Sequence, residues 1–169
     1  MIITSFNIRG IGGGSKFQFL KRCFKSINPN IVVIQETMVI SILACDFFLK
    51  LFPGWEVCSV DPRGLSDGLL SAWNPAVANI LAFSSPAGIL LEGKIEGMDE
   101  PVRIINCYCP YRDREAFWDL VRESPRTLLE RNTIIGDDFN LNLSLVEVWG
   151  SVKLDPLADY FSSVFKMLV

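Results

Sequence analysis

The chain has 169 residues, of which 16 are Lys or Arg and 19 are Asp or Glu, so its formal net charge is −3. Half of the residues are hydrophobic and the mean hydropathy is +0.32, which excludes a disordered, collagen-like or low-complexity chain. The chain contains no His, which excludes Ser-His-Asp and Cys-His catalytic pairs, HExxH zinc sites and Cys2His2 zinc fingers.

Hydrophobic periodicity and turn residues predict an alternation of strands and helices. The predicted strands are 2–7, 31–34, 55–60, 68–73, 78–83, 88–95, 102–107 and 133–135. The predicted helices are 16–27, 41–52, 112–122 and 156–166. Helices flank a run of strands, which is typical of a layered α/β or α+β domain. The sequence shows no internal repeat and no linker, so we expect one domain over residues 1–169.

Three features bear on the compartment in which the protein works. The uncharged stretch 68–91 is interrupted by Asn74, Asn79 and a Ser-Ser-Pro turn, so we expect strands there and no membrane span. Five Cys at irregular spacing within apolar runs favour buried free thiols in a reducing compartment. No signal peptide is recognisable after Met1, so we expect an intracellular protein, nuclear or cytoplasmic.

Charge is unevenly placed along the chain. The first 34 residues contain no acid and five basic side chains, namely Arg9, Lys16, Lys21, Arg22 and Lys25. A basic stretch can face a polyanion, but we interpret the three lysines as the solvated face of a helix. Because the whole chain is acidic, any nucleic-acid contact is expected to be small or to be helped by a divalent cation.

Polar side chains stand where the predicted strands end. They are Asn7, Glu36, Asn106, Tyr108, Asp138 and Asn140. Taken singly, each is more simply explained as a turn or cap residue. Because the ends of adjacent strands converge in space, the six could instead share one cleft. Carboxylates, amides and a phenol suit a hard cation such as Mg²⁺, whereas the lack of His and of paired Cys disfavours zinc.

Five short motifs in a fixed order resemble the endonuclease/exonuclease/phosphatase superfamily. They are NIRG at 7–10, QET at 35–37, SDGLL at 66–70 with WN at 73–74, NCYCP at 106–110 and DFN at 138–140. Their combination is most similar to the endonuclease domain of plant non-LTR (LINE-type) retrotransposons. The resemblance implies a four-layer α/β/β/α sandwich. It also implies phosphodiester hydrolysis that depends on Mg²⁺ (or Mn²⁺), with DNA as the partner.

The resemblance also implies roles for individual residues. Glu36 would be the main metal ligand, with Asn7 beside it. Tyr108 would line the phosphate site, Asp138 would orient or deprotonate the attacking water, and Asn140 would hold the scissile phosphate. The implied metal-binding set is Glu36, Asn7, Asp138 and Asn140, and the implied phosphate-binding set is Asn106, Tyr108, Asn140 and Arg9.

The sequence departs from the family pattern in three places. Neither the Asp that ends the family's site nor its Ser-Asp-His segment is recognisable after Asn140, and the chain stops after the helix that would precede the last strands. Asp137 stands where the family has Gly, and Asp67 where a second small residue is usual. We therefore expect a single partial domain that lacks its C-terminal strands, with weak or no activity. An unpaired sheet edge would then favour poor solubility or self-association.

Three other functions fit parts of the sequence. A non-catalytic remnant with residual nucleic-acid binding fits the missing segment. A phosphatase or a deadenylase of the same superfamily would carry the same motifs. The glycine-rich stretch 10–15 imitates a dinucleotide-binding fingerprint, but its sixth position is Ser15 and not Gly or Ala, which disfavours a nucleotide-dependent oxidoreductase.

Overall fold

A computed structural model of the chain describes residues 1–62, 67–85, 88–110, 112–123, 133–138, 140–141, 144 and 153–166. Of residues 121–123, 137–138 and 164–166 it describes the backbone only. Two residues of the family motifs, Ser66 and Phe139, lie outside the described residues. The side chains of Asp137 and Asp138 likewise belong to the part that is not described.

The described residues form eight strands and four helices, as the sequence predicts. The strands are β1 (Ile3–Asn7), β2 (Ile31–Gln35), β3 (Glu56–Val60), β4 (Leu69–Trp73), β5 (Ala78–Ser85), β6 (Gly88–Ile95), β7 (Val102–Tyr108) and β8 (Thr133–Asp138). The helices are α1 (Gly14–Ile27), α2 (Ser41–Leu51), α3 (Arg114–Glu123) and α4 (Ala158–Lys166). Among the described helices, none is long and apolar enough to cross a membrane.

The first sheet has the strand order β1-β2-β4-β3. β1 and β2 are parallel, with Asn7 opposite Gln35, so their carboxyl ends meet at one edge of the sheet. β4 runs antiparallel to both of its neighbours. All five residues of β2 are buried, because it is an interior strand with both faces covered, as its uninterrupted apolar run predicts.

The second sheet has the order β5-β6-β7-β8, an antiparallel meander whose last strand is parallel to β7. The sequence predicts successive strands through this part of the chain but not their division between two sheets. The division falls at residues 74–77, where the Asn74 carbonyl accepts the N–H groups of Val77 and Ala78, and its side chain accepts that of Ala76. This tight turn redirects the chain from β4 into the other sheet.

Two apolar clusters lie on opposite faces of the first sheet. Ile31 and Val33 point into the cluster between the two sheets. Val32 and Ile34 point into the cluster formed with Leu20 and Phe24 of α1 and with Ala44 and Phe48 of α2. This alternation follows from the two-residue repeat of a strand. The predicted α/β fold built on two face-to-face sheets is confirmed.

The chain divides into two compact units. Unit 1 comprises Met1–Tyr108 and Arg131–Asp138, and it holds both sheets with α1 and α2. Unit 2 comprises Cys109–Glu130 and Phe139–Val169, and it holds α3 and α4. In unit 2, Trp118 of α3 packs edge-on against Phe161 of α4, with ring centroids 4.8 Å apart.

All five cysteines are free thiols, as predicted. Cys107 and Cys109 are buried, whereas Cys23, Cys45 and Cys58 are half-buried. Burial raises the pKa of the Cys58 thiol, and burial together with the neighbouring Asp46 carboxylate raises the pKa of Cys45. Raised pKa values keep these thiols protonated and unreactive at neutral pH.

Candidate functional site

The Asn7 and Glu36 side chains meet where the parallel strands β1 and β2 end. The Asn7 amide nitrogen donates a hydrogen bond of 2.8 Å to Oε1 of Glu36. The Asn7 amide oxygen accepts the backbone N–H of Arg9 at 3.2 Å. Glu36 is buried, with 5% of its surface exposed. The structure therefore brings together two of the predicted metal-site residues in direct contact.

The backbone around this pair adopts conformations that are uncommon for residues other than glycine. Glu36 has φ +54° and Arg9 has φ +48°, both in the left-handed region. The Gly10 N–H donates to the Glu36 carbonyl at 2.6 Å, and the Thr37 N–H donates to the Gly68 carbonyl at 3.0 Å. The first bond links the loop after β1 to the loop after β2, and the second links the loop after β2 to the residue before β4. The surrounding structure thus supports the strained conformations.

A buried network of amides lies directly behind the pair and joins the two sheets. Gln35, which precedes Glu36, donates from Nε2 to Oδ1 of Asn106 at 2.8 Å and to the Gly136 carbonyl at 3.3 Å. Asn106 on β7 in turn donates from Nδ2 to the Leu70 carbonyl at 2.9 Å and to Oγ of Ser71 at 3.1 Å. Such a network fixes the relative position of the strands because each buried polar group has a partner.

Asn106 is completely buried, with 0% of its surface exposed. Both ends of its amide are bonded to the protein, on β2 and on β4. The resemblance implies a phosphate contact for this residue, which stays a prediction, and the structure shows these internal partners. A phosphate oxygen would have to displace bonds that hold the sheets together.

Tyr108 and Asp138 are neighbours at the ends of the parallel strands β7 and β8, where their Cα atoms are partners. Two residues before Asp138, β8 approaches the first sheet closely. A Cβ atom on Gly136 would lie 2.7 Å from Cγ2 of Val33 and 3.3 Å from Oγ of Ser5. The backbone of β8 thus reaches its end near the strands that carry Asn7 and Glu36. Tyr108 itself is buried, with 8% exposed.

Asn140 belongs to unit 2, where its environment is well defined. It has φ +45°, and its Nδ2 donates to the Cys109 carbonyl at 2.7 Å. Its own carbonyl accepts a bond of 2.9 Å from the Arg114 guanidinium, which also binds both carboxylate oxygens of Asp155 at 2.7 and 3.0 Å. Asn140 is therefore held by unit 2 on both its side chain and its backbone.

The Arg114–Asp155 ion pair is mostly buried, since the exposed fraction of the side chain is 18% for Arg114 and 13% for Asp155. Burial raises the pKa of Asp155, but hydrogen bonds from Arg114 and from the Leu157 N–H, with the charge of the guanidinium, outweigh it and leave the pKa lowered. The bond to Asp155 likewise raises the pKa of Arg114. Both groups stay charged at neutral pH.

The donors at the Asn7–Glu36 pair fit one way in which Mg²⁺ is bound. Mg²⁺ takes oxygen ligands, keeps several waters and uses only one or two carboxylates. Glu36 supplies one carboxylate, and among the described residues only Asn7 bonds to it. No cluster of three or more acidic, Cys or His side chains occurs in the described part of the chain, so these residues offer a small Mg²⁺-type donor set rather than a closed cage.

A separate cavity of about 500 Å³ lies in unit 1 between the start of α1 and α2. Its walls are mainly apolar and include Ile11, Phe17, Leu43 and Phe47. None of the predicted site residues lines it. Its lining also includes Asp46 and Lys50, of opposite charge. Because the wall is otherwise apolar and suits neither a metal ion nor a phosphate group, the polar strand ends remain the candidate site.

Two residues with polar contacts near the site are missed by the sequence analysis. Gln35 is a polar residue within a buried apolar run, and that pattern could have indicated a buried hydrogen-bond partner. Lys16 donates from Nζ to the carbonyls of Ile8, Arg9 and Gly10, so it is not simply part of a solvated helix face. Nothing in the local sequence distinguishes Lys16 from Lys21 and Lys25, which are exposed.

No protein-family profile matches the chain, and no curated protein matches it by sequence. Solved structures do match. The endonuclease domain of TRAS1, a telomere-specific non-LTR retrotransposon, has a TM-score of 0.66 at 14% identity and covers 98% of this chain and 69% of that one. For an AP endonuclease from Archaeoglobus fulgidus the TM-score is 0.67 at 20% identity, and the match covers 99% of this chain and 71% of that one. For the 3′-5′ exonuclease NExo from Neisseria meningitidis the TM-score is 0.67 at 14% identity, and the match again covers 99% of this chain and 71% of that one.

Likeness at such low identity shows a common fold. This chain has the endonuclease/exonuclease/phosphatase type of fold.

Proposed function

We propose that the chain is a phosphoric-ester hydrolase domain that acts on DNA phosphodiester bonds with a divalent cation, Mg²⁺ or Mn²⁺. The observation that supports this most is the Asn7–Glu36 hydrogen bond of 2.8 Å at the carboxyl ends of two parallel strands. Layered α/β proteins generally bind ligands at their loops and strand ends, which is where this pair lies. The solved structures that it resembles include endonucleases and an exonuclease.

Glu36 is the proposed metal ligand, and Asn7 orients its carboxylate by donating to one of the two oxygens. When bound, the cation would neutralise charge on the phosphate and lower the pKa of a water ligand. The buried Gln35–Asn106 bond holds β2 against β7 behind the site. For Asn106 we therefore propose a supporting role beside the phosphate contact that the resemblance implies.

The other site residues keep the roles that the resemblance implies, as proposals. Asp138 orients or deprotonates the attacking water, and Asn140 and Tyr108 bind the phosphate. Arg9, exposed on the loop after β1, contacts a flanking phosphate. Each supplies a charge or a donor where the transition state gains negative charge.

Turnover is proposed to be low. The chain contains no His, so the acid/base group that the family carries in its last segment is missing from these residues. Loss of one such group typically lowers the rate by roughly 10²–10⁴. A non-catalytic protein that still binds nucleic acid is the second candidate, because the same absence favours it.

Conversion of supercoiled plasmid to the nicked form with Mg²⁺ or Mn²⁺ tests the proposal. We expect slow nicking by the wild-type chain and none after Glu36→Gln or Asp138→Ala. The matched control is Glu56→Gln, because Glu56 is an exposed carboxylate on β3 of the same unit and its loss should leave nicking unchanged. Circular dichroism of each variant establishes that it is folded.

Two results would contradict the enzyme. If the wild-type chain does not nick DNA but binds a fluorescent duplex in an anisotropy titration, the non-catalytic candidate is supported. If Glu36→Gln nicks as fast as the wild type, the nicking does not arise at this site.

A further inference from the structure

Lys16 lies in the first turn of α1, and its ammonium group donates hydrogen bonds to the loop that follows β1. Its Nζ lies 3.1 Å from the Ile8 carbonyl oxygen, 2.6 Å from that of Arg9 and 2.7 Å from that of Gly10. An ammonium has three hydrogen-bond donors. Three consecutive carbonyls therefore converge on one point and occupy all three donors.

The N–H groups of the same loop are also bonded, on its other side. The Gly10 N–H donates to the Glu36 carbonyl at 2.6 Å, and the Ile11 N–H donates to the Thr37 carbonyl at 3.0 Å. Convergence of the carbonyls requires a tightly curled backbone, and both Arg9 (φ +48°) and Gly10 (φ +87°) are left-handed. Lys16 thus stabilises a conformation that Arg9 would otherwise rarely adopt.

From this loop, a short chain of contacts leads to the candidate site. The Arg9 N–H donates to the Asn7 side chain at 3.2 Å, and the Asn7 side chain donates to Glu36 at 2.8 Å. If the loop uncurls, Asn7 loses its bond from the Arg9 N–H, which helps to orient the amide. The Asn7 donor is then held less well against the Glu36 carboxylate.

We propose that Lys16 is a positioning residue, which holds the 8–10 loop by three carbonyl bonds and thereby keeps Asn7 and Glu36 in register. Its effect on metal binding rests on the proposed function, whereas its hold on the loop does not. A direct phosphate contact would need a free donor on Nζ, and the three carbonyls already use those donors.

The test compares three variants of the whole chain. Lys16→Met removes the ammonium and keeps the apolar stem. Lys16→Arg keeps the charge, but a planar guanidinium distributes its donors over three nitrogens in a fork and cannot present three of them from one atom. Lys21→Met is the control, because Lys21 is an exposed lysine on the same helix and its loss changes the net charge equally.

Two measurements separate positioning from a merely structural role. The first is amide hydrogen exchange at Gly10 and Ile11, which needs no metal and no turnover. The second is the dissociation constant for Mn²⁺, followed by the electron paramagnetic resonance of the free ion. We expect Lys16→Met and Lys16→Arg each to speed exchange about tenfold and to weaken Mn²⁺ binding severalfold, while Lys21→Met stays within about twofold of the wild type.

Exchange at wild-type rates in Lys16→Met would overturn the proposal. Faster exchange with unchanged Mn²⁺ affinity would also overturn it, since Lys16 would then stabilise the loop without positioning Glu36. Failure of the wild-type chain to bind Mn²⁺ would instead contradict the proposed function, and exchange alone would then decide whether Lys16 holds the loop. Circular dichroism of each variant distinguishes these results from a loss of fold.

Discussion

The two units of the chain bury polar groups in different ways. In unit 1 the polar side chains that join the two sheets are neutral, with Gln35 and Asn106 as the central pair. In unit 2 the equivalent link between α3 and the segment before α4 is the ion pair of Arg114 with Asp155. Neutral amides keep their hydrogen bonds at any pH, whereas an ion pair loses its attraction once the carboxylate is protonated.

This difference predicts which changes destabilise each unit. Unit 1 is held by an internal hydrogen-bond network and by close packing, so we expect its stability to fall when a buried side chain changes shape or loses a hydrogen-bond partner. Unit 2 is held by an ion pair, so we expect its stability to fall in acid and at high salt. The predictions below test this contrast.

The largest effect is expected for Asn106→Leu. Leucine has a similar volume, but it removes the Asn106 donor from the Leu70 carbonyl and the Ser71 hydroxyl. The Gln35 amide also loses its bond to Asn106 and keeps the one to the Gly136 carbonyl. Buried polar groups left unpaired cost about 1–3 kcal/mol each, so we expect the free energy of unfolding in urea to fall by about 3 kcal/mol. Asn79→Leu is the matched control, because Asn79 is exposed on β5.

A fall of less than about 0.5 kcal/mol in Asn106→Leu, within the range of an ordinary surface substitution, would contradict the role given to the network. The same variant also informs the site. Because Gln35 precedes Glu36, loosening of this bond should speed amide exchange at Glu36 and Thr37 more than in α2.

The network also shows where prediction from sequence succeeds and where it fails. The apolar run 31–34 and the polar residues that follow it are enough to predict β2 and where it ends, because a continuous apolar run identifies a buried strand without knowledge of its partners. The partner of Gln35 is Asn106, 71 residues further along the chain, and no local pattern specifies such a pairing. Likewise, the strands of residues 55–95 are predictable from alternation, but their division between two sheets depends on the Asn74 turn.

Helix starts show the same limit on a smaller scale. The apolar repeat predicts α1 from residue 16, whereas the helix begins at Gly14. Glycine has low helix propensity, so periodicity gives no signal in that first turn. The contacts of Lys16 cannot be predicted from local sequence either, because they depend on the conformation of the loop 8–10 that precedes the helix.

The next effect is expected for Gly136→Ala, which tests the close approach of β8 to the first sheet. A Cβ atom there would lie 2.7 Å from Cγ2 of Val33, so the sheets must separate slightly or Val33 must move. Overpacking of this kind costs about 1–3 kcal/mol, and we expect a loss of about 2 kcal/mol by urea denaturation. Loss of less than 0.5 kcal/mol, roughly the effect of a neutral surface change, would mean that β8 does not approach Val33 so closely.

The smallest of the three effects, and the one most specific to unit 2, is expected for Asp155→Asn. Because the pKa of Asp155 is lowered in the folded chain, its charged form stabilises the fold above the unfolded pKa of about 3.9. That contribution is lost as the pH falls through the folded pKa. At pH 7 the substitution should cost about 1.5 kcal/mol, the usual value of a hydrogen bond to a charged group.

The contrast between the units is sharpest when the wild type and Asp155→Asn are compared by amide exchange at pH 7 and at successively lower pH. We expect the difference between them to be clear in α4 at pH 7 and to shrink as the pH falls through the folded pKa of Asp155, because the wild-type carboxylate then becomes protonated as well. Protection in β2 should differ little between the two proteins at every pH, since its neighbours Gln35 and Asn106 do not titrate. Asp159→Asn, an exposed carboxylate on α4, controls for the change in charge. A difference in α4 that persists unchanged in acid would mean that unit 2 relies on the shape of the Asp155 side chain, as unit 1 relies on its amides, rather than on charge.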